Sequence, residues 1–230
     1  TGNYNPKTAR AYEDLGILSA DPELTEDLTK LFNQLSGFAP QSTYSRLLVA
    51  PSTLRSGIFE RIDREIENQK AGKPAGIQLK LNSILDEGFV EKIYQASQAG
   101  VKIDLLVRGI CAVQPGIKGI SENITVKSVL GRFLEHSRIF HFINGGNNEY
   151  WIGSADLMGR NLDRRVESLV RIDKKEHQHR LQEILDLGLS PDSSSWQLSG
   201  TDWVRVSKNS KGRALLDVHS AFIHTYSRER

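Results

Sequence analysis

A histidine and an arginine two positions apart form a candidate catalytic pair in this sequence. They lie in GRFLEHSRIFHF, residues 131–142, which reads as a β-strand. Side chains alternate between the two faces of a strand, so His136 and Arg138 would share one face. Phe140 and Phe142 continue that face. An imidazole can attack or protonate a phosphate while a guanidinium holds the phosphate oxygens. The pair predicts an anion site, and a strand end that emerges into solvent is the alternative.

Other polar side chains follow predicted strands at the point where each strand ends. In an open parallel sheet, ligands collect beyond the carboxyl ends of the strands. Each of these residues alone is ordinary at a strand end, but together with the histidine and arginine they form a set of phosphate-handling groups. The set adds Lys80, Asn82, Arg108, Ser154 and Asp156. Five members are expected to line one pocket: Lys80, Arg108, His136, Arg138 and Ser154.

The stretch GSADLMGRN, residues 153–161, contains a Gly-Ser turn. Such a turn exposes backbone N–H groups and a hydroxyl, and it can cradle an anion. Gly-Ser turns are common, so the stretch alone is a moderate signal. The residues downstream could add charge and orient a histidine: Arg160, Asn161, Arg164 and Glu167.

The elements that must position these residues are read from apolar spacing and turn residues. Helices are predicted over residues 5–16, 22–36, 52–70, 86–99, 174–187 and 212–228. Strands are predicted at YSRLLVAP, GIQLKLN, VKIDLLVRG, ITVKSVL, HSRIFHFIN, EYWIGSA, RRVESLVRI and WVRVS.

The alternation of strands and helices predicts an α/β fold with a mixed, mostly parallel sheet and helices on both faces. An antiparallel pair is expected at FHFINGGNNEYWI, where Gly145, Gly146 and Asn147 supply a turn. The Gly/Pro/Ser-rich stretch SGFAPQSTYS marks a boundary, and residues 44–230 read as one α/β domain.

Composition restricts the class of protein. Apolar residues make up 38% and charged residues 25%, with no long apolar run, which argues against a membrane span. The first residues contain no apolar signal core, and a single cysteine, Cys111, cannot form an internal disulfide, so a reducing cytoplasm is expected. A net charge of +2 is too small to indicate nucleic-acid binding. Because residue 1 is not methionine, the sequence is expected to be part of a longer chain.

The order His-x-Arg, then a Gly-Ser turn with a downstream Asn, resembles the His-x-Lys … Gly-Ser-x-x-Asn pattern of the phospholipase D superfamily. In that superfamily two such half-sites meet, and one histidine becomes covalently phosphorylated or phosphatidylated. This sequence departs from the pattern in two respects. Arg138 replaces the lysine, and no Asp stands at the usual short distance after it. Both departures disfavour a phosphodiesterase.

A closer resemblance is to the long, histidine-phosphorylating polyphosphate kinases, which use the same superfamily fold. It extends to about residue 190, and on this basis the chain is identified as a member of that family. The runs that carry the resemblance are TGNYNPKTARAYEDLGILSADPELTEDLTKLFN, IDREI, KLNSILD, ASQAGVKIDLLVRGIC, PGIKGISENI, GRFLEHSRIF and SADLMGRNLDRRVE.

The resemblance implies a division of the chain and a reaction. Residues 1–43 would be the tail of one phospholipase D-like domain, and residues 44–230 the C-terminal one. The phosphorylated histidine and the metal-contacting arginines would lie upstream of Thr1. The full-length enzyme would transfer the terminal phosphate of ATP reversibly to polyphosphate, with Mg²⁺ as cofactor, no metal site in this part of the chain, and assembly as a homo-oligomer. The expected location is the cytoplasm, with peripheral membrane association left open.

Three residues acquire roles from the family pattern. Tyr12 would pack by the nucleotide base, Arg108 would contact the nucleotide phosphates, and His136 would be the second active-site histidine, acting as an acid or base or stabilising the leaving oxygen. On the residues alone, Tyr12 could be a half-buried helix aromatic and Arg108 part of a surface ion pair. Two other functions stay open: a phospholipase D-like nuclease or lipid hydrolase, and a non-catalytic piece that contributes nucleotide binding.

Overall fold

The computed structural model describes residue 2, residues 4–38 and residues 43–227. Its helices are α1 (Pro22–Leu35), α2 (Leu54–Lys70), α3 (Glu87–Gln98), α4 (Lys175–Leu189) and α5 (Val218–Ser227). The first five strands are β1 (Tyr12–Glu13), β2 (Leu47–Ala50), β3 (Gly76–Leu81), β4 (Lys102–Val107) and β5 (Ile124–Ser128). The others are β6 (Leu134–Glu135), β7 (Ile139–Phe142), β8 (Glu149–Gly153), β9 (Glu167–Ile172), β10 (Ser195–Ser199) and β11 (Asp202–Val206).

A nine-stranded sheet with the order β11-β10-β5-β4-β3-β7-β8-β9-β2 forms the centre of the fold. The α/β class is confirmed, but the prediction of a mostly parallel sheet is wrong. Only β3–β4 and β4–β5 pair in parallel, and the other six pairings between the described strands of this sheet are antiparallel. For β7–β8 and β10–β11 the physical reason is connection length, because a short turn without a crossover helix imposes antiparallel pairing. The antiparallel pairings of β2 with β9, β3 with β7 and β10 with β5 join segments that are distant in the sequence.

Helices cover both faces of the sheet, as predicted. Alternation along β2 shows the two sides: Leu48 and Ala50 pack with α2 and α3, whereas Leu47 and Val49 pack with α1. Helix α4 lies on the same side as α1, where Leu181, Ile184 and Leu185 pack against the strand residues Ile139, Tyr150, Ile152 and Ile172. The central strands of the sheet are therefore buried between two helical layers.

Local signals predicted most of the helices correctly. Asp86 caps α3 by accepting a hydrogen bond from Phe89 N at 3.2 Å, and Asp21 caps α1 in the same way through Leu24 N at 3.1 Å. The turn at Gly145 and Gly146 is present, with φ values of 64° and 97°. Helix α5 begins at Val218, six residues later than the start predicted at residue 212.

The prediction of a helix over residues 5–16 is wrong. This segment forms a single helical turn at Thr8–Arg10 and then strand β1, which pairs in parallel with β6. Pairing with a distant segment outweighs the local helix preference. Strand β7 also begins later than predicted, at Ile139, so His136–Arg138 lie between two strands.

Strand β10 was not predicted, because its serine-rich sequence resembles a loop. The predicted boundary at SGFAPQSTYS includes residues 39–42, which lie outside the described residues. Among the residues that the structure describes, no helix combines the length and apolar character needed to cross a membrane.

Candidate active site

The sheet register brings the predicted strand-end residues to one edge. Lys80 of β3 pairs with Ile139 of β7, and Ile139 pairs in turn with Ile152 of β8. Because β7 runs antiparallel to both neighbours, its amino end lies beside the carboxyl ends of β3 and β8. The same edge therefore carries the segments after β3, β4 and β8 and the segment before β7, which contain Asn82, Arg108, Asp156, His136 and Arg138.

A buried carboxylate joins several of these side chains. Asp156 accepts hydrogen bonds from Asn82 N at 2.7 Å and from Asn82 Nδ2 at 3.2 Å. Arg138 Nη2 donates to the same carboxylate at 3.1 Å, and Arg108 Nε donates to Asn82 Oδ1 at 2.8 Å. We call Asn82, Arg108, Arg138 and Asp156 the arginine network. It confirms that the two arginines and the asparagine meet, and it includes Asp156 as the central acceptor.

The arginine network carries more positive than negative charge. Burial, together with the neighbouring charge of Arg138, lowers the pKa of Arg108. Arg138 Nε is buried and finds no hydrogen-bond partner in the described part of the chain. Within the same ranges, no acceptor contacts the terminal Nη atoms of Arg108. Arg138 contacts the one carboxylate, Asp156, and Arg108 contacts the Asn82 amide, so two guanidinium groups with unused donors lie near a single negative charge. Such an arrangement is suited to bind an anion.

His136 lies against this network in a defined orientation. Its Nδ1 is 2.7 Å from Asp14 Oδ2, and an ionised carboxylate can only accept, so Nδ1 carries the proton. In the neutral imidazole Nε2 then has a lone pair, and it lies 3.2 Å from Arg138 Nη1. The Tyr12 ring packs beside the imidazole with 5.0 Å between ring centres. The predicted meeting of His136 with Arg138 is thus observed, whereas the contacts of His136 with Tyr12 and Asp14 were not predicted.

Lys80, predicted to bind phosphate, lies beneath the site instead. Its Nζ is within 2.8 Å of Glu13 Oε2, 2.6 Å of Glu135 Oε2 and 2.6 Å of Ser137 Oγ. Burial opposes its charge, but the carboxylates of Glu13 and Glu135 outweigh burial and raise the pKa of Lys80. Three acceptors already use the three ammonium protons, so no donor is left for a phosphate.

Ser154 and the Gly-Ser turn also differ from the prediction. The side chain of Ser154 is exposed, and its Oγ accepts a hydrogen bond from Ser168 N at 3.3 Å. The Ser154 N–H donates to Ser168 O, so the turn does not offer this N–H to an anion. A Cβ atom at Gly153 would collide with the Ser168 carbonyl oxygen, which explains the glycine by close strand packing. The predicted five-residue pocket therefore loses Lys80 and Ser154.

The arginine-rich segment after this turn does not join the arginine network. Arg160 is exposed and opens a π-helical turn, Arg160–Arg164, and no described hydrogen bond or ion pair joins it to the arginine network. Asn161 Nδ2 donates to Glu167 Oε1 at 2.7 Å, so these two residues orient each other rather than a histidine.

Cys111 is half-buried against the core, and burial raises the pKa of its thiol.

The described carboxylates at this edge do not fit a magnesium site. Asp14 pairs with His136, Asp156 accepts from Asn82 and Arg138, and the two glutamates around Lys80 are likewise engaged. Within the described ranges, no group of three or more His, Cys, Asp or Glu side chains is arranged to hold a metal ion. Magnesium prefers carboxylate and phosphate oxygens that are free to coordinate, so ligands from this part of the chain are not expected.

Comparison with known proteins identifies relatives along the whole chain. A family model described as polyphosphate kinase C-terminal domain 2 matches residues 47–215, and one described as polyphosphate kinase C-terminal domain 1 matches residues 1–41. The polyphosphate kinase of Streptomyces coelicolor is 52% identical over 100% of this chain and 31% of the relative. That of Prochlorococcus marinus is 52% identical over 86% of this chain and 28% of the relative.

A solved structure agrees with these matches. The crystal structure of polyphosphate kinase from Porphyromonas gingivalis has a TM-score of 0.90 and 34% sequence identity, covering 100% of this chain and 35% of that one. The chain spans about a third of the length of the curated relatives it matches.

Proposed function

This chain belongs to the polyphosphate kinase family, and we propose that it forms the C-terminal part of an enzyme that transfers the terminal phosphate of ATP to polyphosphate. In this proposal residues 1–43 end one phospholipase D-like domain, and residues 44–230 form the next. The histidine that becomes phosphorylated lies upstream of Thr1. We call the longer chain the parent enzyme.

The observation that carries the proposal is the excess of positive charge in the arginine network. A transferring phosphoryl group needs charge neutralisation and positioning more than it needs covalent chemistry from the protein. Arg108 has two Nη groups available for phosphate oxygens, while Asn82 holds the guanidinium group of Arg108 and Asp156 holds that of Arg138. These contacts support binding of ATP or polyphosphate at this edge.

His136 would donate or accept a proton in the reaction. In the first step the bond between the terminal phosphorus and the ADP oxygen breaks as a bond to the upstream histidine nitrogen forms. In the second step this phosphorus–nitrogen bond breaks as a bond to the terminal oxygen of polyphosphate forms. Because Asp14 holds the Nδ1 proton, Nε2 of His136 can release or accept a proton at the oxygen that leaves or attacks.

Several further features belong to this proposal. Tyr12, already packed against His136, would contact the nucleotide base. Magnesium would reach the site with ATP and be held by residues outside the described part of the chain, where it would neutralise phosphate charge. We also propose a cytoplasmic location, and assembly of the parent enzyme as a homo-oligomer.

Labelling with ATP that carries a radioactive terminal phosphate tests the proposal. The parent enzyme, supplied with this ATP and Mg²⁺, should form labelled polyphosphate and an acid-labile, base-stable phosphoprotein. The 230-residue chain alone should stay unlabelled, because half a site lacks the nucleophile. Label on His136 would contradict its role as a proton carrier, and a parent enzyme that makes no polyphosphate from ATP would contradict the proposed function itself.

A further inference from the structure

A buried group of charged side chains supports the segment that carries His136. It consists of Glu13, Lys80, Glu135, Ser137 and His219, and we call it the ionic cluster. Lys80 is 2% exposed and His219 is 2% exposed, so both are removed from solvent. Glu135 and Ser137 are the two sequence neighbours of His136. Any change in the ionic cluster therefore acts directly on the backbone at both sides of the proposed catalytic histidine.

Strand β1 holds this segment from one side. His136 N donates to Glu13 O at 3.0 Å. The Glu13 carboxylate accepts from Ser137 N at 3.3 Å and from Ser137 Oγ at 2.8 Å. Lys80 then joins Glu13 to Glu135, since its Nζ contacts both carboxylates. These contacts fix the backbone on the β1 side, but Glu135 needs a further partner on its other oxygen.

His219, the second residue of α5, supplies that partner. Phe133 N lies 3.2 Å from His219 Nδ1, and a backbone N–H can only donate, so Nδ1 is the acceptor. The ring proton is then on Nε2, which donates to Glu135 Oε1 at 2.6 Å. One imidazole thus binds two points of the segment that leads into His136.

Packing makes this contact sensitive to the shape of the ring. A Cβ atom at Gly131 would lie 2.5 Å from His219 Nδ1, so the chain passes directly over the imidazole. The Phe133 ring packs against the same imidazole with 5.4 Å between ring centres. A buried carboxylate oxygen that loses its donor is costly, and Glu135 would have to move to find another one. Movement of Glu135 moves His136, its neighbour.

We propose that His219 is a positioning residue for His136, acting through its hydrogen bond to Glu135. The kinetic part of this inference rests on the proposed function. The C-terminal helix α5 thereby contributes to the reaction without touching the phosphate. Loss of the contact should lower kcat and leave KM for ATP almost unchanged, because Arg108 and Arg138 are held by Asp156 and Asn82 rather than by the ionic cluster.

Two substitutions separate the two hydrogen bonds of His219. In His219→Gln the amide nitrogen reaches the position of Nε2 and can still donate to Glu135. In His219→Asn the amide oxygen lies near the position of Nδ1 and can still accept from Phe133 N, but the contact to Glu135 is lost. Both variants are polar and similar in size, so a general loss of packing affects them alike.

His141 provides the matched control. It is also buried, with ring nitrogens 2.8 Å from Gln78 Oε1 and 3.0 Å from Asn148 Oδ1, and its imidazole stacks on Tyr150. These contacts lie outside the ionic cluster. The variants His141→Gln and His141→Asn should therefore report the cost of changing a buried histidine without changing the support of His136.

The experiment measures kcat and KM for ATP in the parent enzyme, together with backbone amide hydrogen exchange over residues 133–137. We expect His219→Asn to lower kcat by about tenfold and to speed exchange in this segment, while His219→Gln stays within about threefold of the unmodified enzyme. Both His141 variants should keep kcat and the exchange pattern of this segment.

Two results would overturn the inference. One is equal exchange over residues 133–137 in both His219 variants, and the other is a kcat that falls equally in His219→Asn and His141→Asn. The exchange measurement does not need activity, so it decides the positioning role even if the unmodified parent enzyme fails to make polyphosphate. Such a failure would contradict the proposed function alone.

Discussion

The arginine network and the ionic cluster lie at the same edge of the sheet, but their charges are balanced differently. In the ionic cluster Lys80 contacts two carboxylates, and His219 supplies Glu135 with a second donor. In the arginine network Arg138 contacts Asp156 and Arg108 contacts the neutral Asn82, and Arg138 Nε has no partner among the described residues. Every strong donor is used in the first group, whereas donors remain in the second.

This difference distinguishes a group with a structural role from one that is suited to bind a ligand. A buried charge whose partners are complete has no donor left for a substrate, and removal of one partner destabilises the fold. Guanidinium groups with unused donors favour an anion that completes their hydrogen bonds. Lys80 stands at a strand end, as a phosphate ligand should, but its partners make it unavailable to phosphate. Charge type alone did not distinguish the two groups.

The largest effect is expected at the residue that links the two groups. His136→Ala in the parent enzyme should lower kcat for ATP-dependent polyphosphate synthesis by roughly 10²- to 10⁴-fold, the range typical of a lost general acid or base. Steady-state kinetics measures this, with thermal unfolding as the control for folding. A variant that keeps more than about half of the kcat would remove His136 from the chemistry.

The charge-balanced group should respond in stability. Lys80→Met leaves Glu13 and Glu135 facing each other without a cation, and removing one partner of a buried pair costs about 3–5 kcal/mol. Arg108→Met, the matched change in the arginine network, should cost only about 1–2 kcal/mol, because it removes one hydrogen bond to Asn82 and no described ion pair. Denaturant unfolding of both variants checks the contrast, and equal losses of stability would contradict it.

A smaller effect should depend on pH. Although burial opposes it, Lys80 and His219 lower the pKa of Glu135 to about 2. A carboxylate whose pKa is lowered by folding contributes stability above its unfolded pKa of about 4.5, and this contribution is lost as the pH falls through the folded pKa. Glu135→Gln should therefore lower the unfolding free energy by about 1.5–3 kcal/mol at pH 7, with a difference that shrinks as the pH falls from about 5 to about 2.

The exposed Glu91 provides the control for this titration. Glu91→Gln should follow the unmodified protein across the same pH range. A constant difference between the unmodified protein and Glu135→Gln at every pH would show that the Glu135 charge does not stabilise the ionic cluster.

Local features of the sequence predicted much of the fold. The cap at Asp86 and the apolar spacing of Phe89, Ile93 and Ala96 act within one helix, so α3 could be predicted from them alone. The sheet direction could not, because antiparallel pairing of β2 with β9 joins segments more than 100 residues apart. The helix predicted over residues 5–16 failed for a related reason, since β1 is stabilised by its pairing with β6.

The candidate site was also predicted only in part, because some of its contacts follow from strand positions and others join segments that are distant in the sequence. Arg108, Asn82 and Arg138 follow or precede strands that meet, so their strand positions were sufficient. Asp14 is 122 residues from His136 in sequence, and no local pattern links them. The structural role of Lys80 had one signal in the sequence. A lysine between Leu79 and Leu81 in a buried strand needs a carboxylate partner, and Glu135 is the sequence neighbour of the predicted His136.

The proposed binding of phosphate at the arginine network would depend most on the unused donors of Arg108, and Arg108→Lys in the parent enzyme tests them directly. The substitution keeps the charge but replaces the planar guanidinium group with a single ammonium group. Loss of one charge-assisted hydrogen bond costs on the order of 1.5–3 kcal/mol. We predict a roughly ten- to a hundred-fold fall in kcat/KM for ATP with an unchanged melting temperature, while Arg205→Lys on the exposed strand β11 changes neither. An Arg108→Lys enzyme with full activity and a slightly lowered melting temperature would contradict phosphate binding by Arg108, because that is the behaviour of a surface ion pair.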